Sequence, residues 1–226
     1  MTEFEKQFRE VQELLEFNDF NQTIKRVIDF TLDSENIEFY IKTNEFLNWL
    51  DHNEKEDEDK KTRLKTLLDE LHAFLSKKEC HNHQTIISVK NLQKVYNASF
   101  GLGPINLDIK TGEIIGLVGE NGNGKTTLLR SLCGELHPTS GTINYQFQYD
   151  DLYDLRTKLV YIPQRTDTWR GSMYENLEFT ASCYGYSPEE NNLVVDLVIT
   201  RLGLRKFRKH YWNNLSSGYK MRFELA

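Results

Sequence analysis

The stretch EIIGLVGENGNGKTTLLRSLCGE, residues 113–135, decides how the rest of the chain is interpreted. Its apolar run from Ile114 to Val118 predicts a buried strand, and a glycine-rich turn follows at once. After the turn, leucines recur at the spacing that places them on one face of a helix. A strand, a glycine-rich turn and a helix in this order predict an anion site, because a helix begins with unpaired backbone N–H groups.

The turn matches the phosphate-loop pattern at Gly119, Gly124, Lys125 and Thr126. Glycine permits backbone conformations closed to other residues, so that successive N–H groups can converge on one phosphate. Lys125 is predicted to reach the β and γ phosphates of a nucleotide, and the Thr126 hydroxyl is predicted to bind Mg²⁺. These residues together predict a nucleoside triphosphate site.

The composition argues against several classes of protein. The 226 residues carry a net charge of −6, whereas a nucleic-acid coat usually presents a basic face, so we expect no nucleic-acid partner. Three cysteines without regular spacing favour a reducing compartment, the cytoplasm, over a disulfide framework. No apolar run approaches the length of a membrane span. We therefore expect no direct membrane insertion, and any association to be peripheral, at the inner face and through a partner.

The chain has two regions of different composition, since all 13 glycines and all four prolines lie at or after Gly101. In the first region, apolar positions recur at helical spacing and predict about four amphipathic helices, an all-α domain over residues 1–82. Residues 1–84 hold 20 acidic and 12 basic side chains. The run DHNEKEDEDKK, residues 51–61, predicts a solvated loop between the third and fourth helices, with an interaction tail as the alternative.

From residue 85 onward, the segments TIISV, EIIGLVG, GTINYQF and KLVYIP predict strands, with helical stretches between and after them. Alternation of this kind predicts an α/β domain over residues 85–226.

The phosphate loop GLVGENGNGKTTLL, residues 116–129, resembles that of ATP-binding cassette (ABC) ATPases, and other elements follow in that family's order. HPTSGTINYQF, residues 137–147, is similar to the family's Pro-x-x-Gly turn, and KLVYIPQRTDTW, residues 158–169, to its glutamine loop. LSSGYKMR, residues 215–222, resembles the signature motif. The resemblance implies an incomplete P-loop NTPase core of ABC type with a helical subdomain at about residues 171–212.

The resemblance also implies roles for single residues. Lys125 and Gln164 would be catalytic, Thr126 and Gln164 would hold Mg²⁺, and Tyr96 would stack on the adenine of ATP, with a core tyrosine at a strand end as the alternative. The implied nucleotide-binding residues are Tyr96, Gly119, Asn121, Gly122, Asn123, Gly124, Lys125, Thr126, Thr127, Gln164, Ser216, Ser217 and Gly218.

The signature departs from the family pattern at two positions, with Ser217 in place of a glycine and Tyr219 in place of a glutamine. Ser217 is small and keeps its N–H, so anion binding at a helix N-terminus is still expected. In the family an apolar strand ending in Asp-Glu and a switch histidine come next. They do not follow here, so we expect a chain truncated after the signature that binds ATP with little or no hydrolysis, and an ATPase as the full-length protein.

Three other stretches have less specific interpretations. LVVD, residues 193–196, predicts part of a helix in the subdomain rather than the family's strand. Cys80, His81 and His83 are three candidate metal ligands, but a structural zinc site needs four, so a polar linker is expected. RKFRKHYW, residues 205–212, is basic and aromatic and predicts a solvated loop before the signature, with a contact to nucleic acid or a partner as the alternative.

The sequence is compatible with three hypotheses for function. The first is the ATP-binding subunit of an ABC transporter, a head-to-tail dimer in which one chain's signature faces the other's phosphate loop, joined to a membrane-spanning subunit. The second is a soluble cassette protein that uses ATP as a clamp on a protein or ribosomal partner. The third is a phosphate-loop kinase of small molecules. The N-terminal helices are expected to be a regulatory or docking domain, or a structural cap.

Overall fold

The computed structural model describes residues 3–53, 56–78, 84–97, 100–163 and 169–226. It divides the chain into two compact units. The first, which we call the helical unit, comprises Met1–Glu79 and Gln164–Ala226, and the second, the sheet unit, comprises Cys80–Pro163. The N-terminal helices therefore share a compact unit with the C-terminal part of the chain, while the division at residues 82 and 85 stays a prediction.

Four helices open the helical unit: α1 (Glu3–Glu16), α2 (Phe20–Ser34), α3 (Ile37–Leu50) and α4 (Asp57–Leu75). The all-α N-terminal region predicted from periodicity is thus confirmed. The predicted loop over residues 51–61 is wrong in its second half, because α4 already begins at Asp57. Three acidic residues occupy the first turn of α4, where carboxylates interact favourably with the positive end of the helix dipole.

The remaining helices of this unit are α7 (Met173–Cys183), α8 (Pro188–Arg201) and α9 (Ser217–Leu225). Helices α7 and α8 each begin with a reciprocal capping box, formed by Ser172 with Glu175 and by Ser187 with Glu190. The stretch LVVD lies within α8, as predicted.

The solvated loop predicted for residues 205–212 is wrong at both of its ends. Arg205–Phe207 and Trp212–Asn214 are short 3-10 helices. Trp212 is buried, and its ring stacks on that of Trp169 with the centroids 5.6 Å apart. Trp212 is therefore a core residue, since packing removes its large apolar surface from water, whereas Tyr211 is 59% exposed.

The sheet unit contains three antiparallel strands, β1 (Thr85–Asn97), β2 (Phe100–Lys110) and β3 (Ser140–Tyr145), in the order β2-β1-β3. It also contains α5 (Lys125–Leu132) and α6 (Leu152–Lys158). Leu128 and Leu132 of α5 join the buried side chains of β1 in one apolar cluster. This packing fixes the helix that follows the phosphate loop.

Two of the four predicted strands are absent from the described structure. Residues 114–118 and 159–163 carry no regular secondary structure, and the side chains of Ile114 and Val118 are 99% and 95% exposed. An apolar run becomes a buried strand only where neighbouring strands take its hydrogen bonds and other elements cover both faces. Among the described residues neither segment has a strand partner.

The described part of the chain contains no helix with both the length and the apolar character needed to cross a membrane.

A pair of buried threonines links α2 to α3 inside the helical core. The Thr31 hydroxyl lies 2.8 Å from the Val27 carbonyl oxygen and 2.8 Å from the Thr43 hydroxyl. Because Thr31 has one hydroxyl proton and the carbonyl can only accept, Thr31 donates to Val27 and Thr43 donates to Thr31. Both residues are essentially inaccessible to solvent.

We predict that Thr31→Val lowers the free energy of unfolding by about 1–3 kcal/mol, because it leaves the Thr43 hydroxyl buried without an acceptor. Thr43→Val should cost less, since Thr31 still donates to Val27. The double substitution should cost less than the sum of the two, which urea denaturation of all three variants measures. Additive losses would contradict the shared hydrogen bond.

Candidate functional site: a phosphate loop and a second free helix start

The phosphate loop ends in a helix start whose backbone donors are available. Gly124 precedes α5 with φ of 81°, the left-handed conformation that favours glycine, and no side chain caps the helix. The first hydrogen bond of α5 runs from the Leu128 amide to the Gly124 carbonyl oxygen. Among the described residues, the amides of Lys125, Thr126 and Thr127 therefore have no acceptor. Three convergent N–H groups at a positive helix end suit a phosphate.

Lys125 lies folded over this loop. Its Nζ donates to the carbonyl oxygens of Gly119 and Glu120, at 2.6 and 2.7 Å. The ammonium is thus held above the same turn whose amides point outward. Thr126, the predicted Mg²⁺ ligand, is exposed on the first turn of α5, as are Asn121, Gly122 and Asn123 in the loop. A polyphosphate that meets the free amides would meet the ammonium as well, so the residues fit such a group.

Tyr96 lies beside the loop at the C-terminal end of β1. Its hydroxyl is 3.4 Å from the Thr127 hydroxyl, and its side chain is 48% exposed. The Lys94 ammonium lies 5.8 Å from the centre of its ring. Tyr96 is therefore not a core tyrosine: its half-exposed ring borders the phosphate loop.

At the C-terminal end of α5 lie Tyr145 and Cys133, whose side chains stay uncharged near neutral pH. Burial, followed by the neighbouring Cys133 and Tyr149, raises the pKa of Tyr145 to about 12, and its hydroxyl donates to the Leu132 carbonyl oxygen at 2.8 Å. Burial also raises the pKa of the Cys133 thiol, with a smaller effect from Glu135. A neutral, half-buried thiol is a poor nucleophile, so we assign Cys133 a packing role.

The predicted signature forms a second helix start of the same kind, in the helical unit. Ser216 precedes α9, and its side chain makes no capping hydrogen bond. Ser216, Ser217 and Gly218 are all exposed. Within the described chain, the amides of Ser217, Gly218 and Tyr219 have no acceptor, since the first hydrogen bond of α9 runs from Lys220 to the Ser216 carbonyl oxygen.

The two departures from the family signature have different consequences. Ser217 lies in the first turn of α9, where a serine hydroxyl adds a donor to the free amides. Tyr219 is partly buried, with its ring centre 4.0 Å from that of Phe207 and the Arg222 guanidinium 5.4 Å from its own. Its ring therefore contributes to packing, and the amide chemistry at the start of α9 does not depend on it.

Gln164 lies outside the described residues, as do Cys80, His81 and His83. The Mg²⁺ role of Gln164 stays a prediction. In the described parts of the chain, no group of three or more His, Cys, Asp and Glu side chains could hold a metal ion. The contact between Tyr96 and Thr127 and the unpaired amides of α9 are details that the sequence motifs alone do not contain.

Comparison with known proteins connects these features. The family model described as ABC transporter matches residues 102–226. The chain is 30% identical over 160 residues to the probable multidrug ABC transporter ATP-binding protein YbhF of Escherichia coli K12, a match over 69% of this chain and 28% of YbhF. It is 35% identical over 152 residues to the methionine import ATP-binding protein MetN 1 of Acinetobacter baylyi, over 62% of this chain and 42% of the relative. The chain thus spans less than half the length of either curated relative.

A solved structure gives the same result for the fold. CbiO1 from Clostridium perfringens, part of the ABC transporter complex cbiONQ, superposes with a TM-score of 0.55 and 28% sequence identity. The match covers 62% of this chain and 59% of that structure. The α/β core with a helical subdomain is therefore confirmed as an ABC-type ATPase fold.

Glycines 122 and 124 allow a matched test of the loop geometry. Both have positive φ, 89° and 81°, but a Cβ added at Gly122 would meet no atom within 4 Å, whereas one at Gly124 would lie 2.7 Å from Leu102 Cδ1. We predict that both alanine substitutions cost about 1–2 kcal/mol of backbone strain, and that Gly124→Ala costs about 1–3 kcal/mol more from the clash. Chemical denaturation measures the difference, and adding Leu102→Ala should reduce it. Equal losses at the two positions would contradict the close contact.

Proposed function

The chain belongs to the ABC transporter family, and from that premise we propose that it is an ATP-binding subunit of a transporter, which couples ATP binding and hydrolysis to transport. One observation carries the proposal: the Lys125 ammonium is held over Gly119 and Glu120 directly beside the unpaired amides at the start of α5. This arrangement supplies a positive charge and several N–H donors to one phosphate chain.

The proposed ATP site has three parts. The adenine stacks on Tyr96, the α and β phosphates lie on the amides of residues 121–127, and the β and γ phosphates accept from Lys125. When bound, Mg²⁺ neutralises the charge that develops as the γ-phosphoryl group passes to water. Thr126 would hold the ion with its hydroxyl, and Gln164 would be its second protein ligand.

The signature residues are proposed to act on a second ABC subunit. Ser216, Ser217 and Gly218 present free N–H and hydroxyl donors at the start of α9, in a unit separate from the phosphate loop. In a head-to-tail dimer these donors would meet the γ phosphate held by the other chain's Lys125. ATP then acts as the bridge between two chains, which makes dimer formation depend on nucleotide.

We further propose that the protein acts in the cytoplasm, peripherally at the inner face of the membrane, through a membrane-spanning subunit. The printed names of its relatives describe transporter ATP-binding proteins and a part of a transporter complex, which supports a partner of this kind.

Replacing Lys125 tests the nucleotide site. Lys125→Ala should weaken Mg-ATP binding roughly 10- to 100-fold, because it removes a charge-assisted contact to the terminal phosphates. AMP, which lacks those phosphates, should lose much less. Isothermal titration calorimetry measures both, with Lys110→Ala as the control because Lys110 is an exposed lysine of the same unit. An unchanged ATP affinity would contradict the proposal.

A second experiment tests the transporter assignment. The chain is expressed with an affinity tag in its source cells, and detergent-solubilised membranes and ribosomes are probed separately. We expect a multi-span membrane protein to co-purify with the chain. Recovery with ribosomes and no membrane protein would instead favour a soluble clamp.

A further inference from the structure

We propose that the N-terminal helices α1–α4 position the signature residues Ser216, Ser217 and Gly218, and that helix α8 carries this effect. The role of the signature itself rests on the proposed function. The orientation of the signature depends on contacts with residues far away in the sequence.

Helix α8 is buried on two sides by two different apolar clusters. Val194 and Leu197, spaced i and i+3, lie in the cluster formed by the N-terminal helices. Val195 and Ile199, spaced i and i+4, lie in the cluster that includes Phe223 of α9. All four side chains are at most 5% exposed. One helix thus forms part of both cores, and it cannot shift against one without disturbing the other.

Polar contacts hold α8 to the N-terminal helices at both of its ends. Near its start, the buried Asn44 side chain donates to the Leu193 carbonyl oxygen at 3.1 Å and to the Tyr40 carbonyl oxygen at 2.8 Å. At its end, Arg201 donates from Nε and Nη2 to the two oxygens of Asp29, at 2.6 and 3.1 Å. A two-point guanidinium–carboxylate contact fixes direction as well as distance.

A third contact lies just beyond α8. Arg205 donates from Nη2 to the side-chain oxygens of Asn48 and Asp51, both at 2.9 Å, and from Nη1 to the Thr200 hydroxyl at 3.2 Å. It therefore joins α3 to the last turn of α8. The three contacts define what we call the α8 clamp: Asn44 to Leu193, Asp29 to Arg201, and Asn48 and Asp51 to Arg205.

On its other side, α8 supports the segment that leads into the signature. Val195 and Ile199 share an apolar cluster, which we call the signature cluster, with three residues of α7 and four that follow α8: Met173, Leu177, Ala181, Leu204, Trp212, Leu215 and Phe223. Leu215 immediately precedes Ser216, and Phe223 anchors α9 itself. The start of α9 is thus held by an apolar cluster to which α8 contributes Val195 and Ile199. A change in the N-terminal helices reaches the signature through one shared helix.

The tryptophans give a direct readout of this coupling. The chain has three, of which Trp169 and Trp212 stack with an interplanar angle of 13° in the signature cluster, while Trp49 belongs to the N-terminal helices. In a Trp49→Phe background, near-ultraviolet circular dichroism at the red edge of the spectrum reports only the stacked pair.

The test compares two double variants in that background. Asn44→Ala with Arg201→Gln breaks two contacts of the α8 clamp. Glu16→Gln with Glu70→Gln breaks two ion pairs between N-terminal helices, to Lys61 at 3.0 Å and to Lys42 at 2.5 Å, which do not involve α8. Far-ultraviolet circular dichroism and urea denaturation confirm that both remain folded.

We expect the clamp variant to lose roughly half or more of the Trp169–Trp212 signal, and the control variant to keep it. Replacing Arg201→Gln by Arg201→Lys should recover part of the signal, since an ammonium can meet Asp29 but cannot form both bonds. An unchanged signal in the folded clamp variant would overturn the proposal. So would an equal loss in the control, because the effect would then be general destabilisation.

A nucleotide measurement separates this inference from the proposed function. In the clamp variant, the ATP concentration for half-maximal self-association should rise roughly five- to tenfold, while the affinity of the monomer for fluorescent ATP stays unchanged. A change in both quantities, or in neither, would overturn the positioning role. If the unsubstituted chain bound no ATP, the proposed function would fail, and the tryptophan signal would still decide whether the N-terminal helices position the signature cluster.

Discussion

The burial of α8 on two sides is the constraint on which the helical unit depends. Val194 and Leu197 are buried in the cluster of the N-terminal helices, and Val195 and Ile199 are buried in the cluster that contains Phe223 of α9. Apolar burial stabilises each side by about 25 cal/mol per Å² removed from water. Separating α8 from either cluster would therefore expose apolar surface and cost free energy. The helices outside the matched family region are therefore part of the scaffold that holds a family motif.

Local structure was predictable from the sequence wherever the apolar residues of a segment followed a single spacing. The N-terminal helices follow from their apolar spacing, and the phosphate loop follows from Gly119, Gly124, Lys125 and Thr126. The segment 114–118 was not predictable in the same way, because an apolar run specifies only that a strand could be buried there. Whether it becomes a strand depends on partners distant in the sequence, and the described sheet contains β1, β2 and β3 alone.

The burial of α8 on two sides is visible in its sequence as apolar residues on both sides of the helix. A helix that packs on one face carries a single apolar stripe, whereas LVVDLVI, residues 193–199, is apolar nearly all round. Such a helix must be covered on both sides. What the sequence could not supply is the identity of the covers, since Asp29 and Arg201 are 172 positions apart and no local rule connects them.

The helix starts of α5 and α9, whose first amides are unpaired, supply different groups to the proposed nucleotide site. The start of α5 has Lys125 to neutralise a phosphate, together with an aromatic neighbour, Tyr96. The start of α9 has N–H and hydroxyl donors from Ser216 to Gly218, and the ammonium of Lys220 in the same helix lies 5.3 Å from the centre of the Trp212 ring. A weak neutral donor surface discriminates by orientation rather than by charge, because dipoles fall off faster with distance and angle than a unit charge does. In the proposed dimer a rigid support for α9 therefore has a functional consequence, because a rotation of α9 would turn the signature amides away from the phosphate.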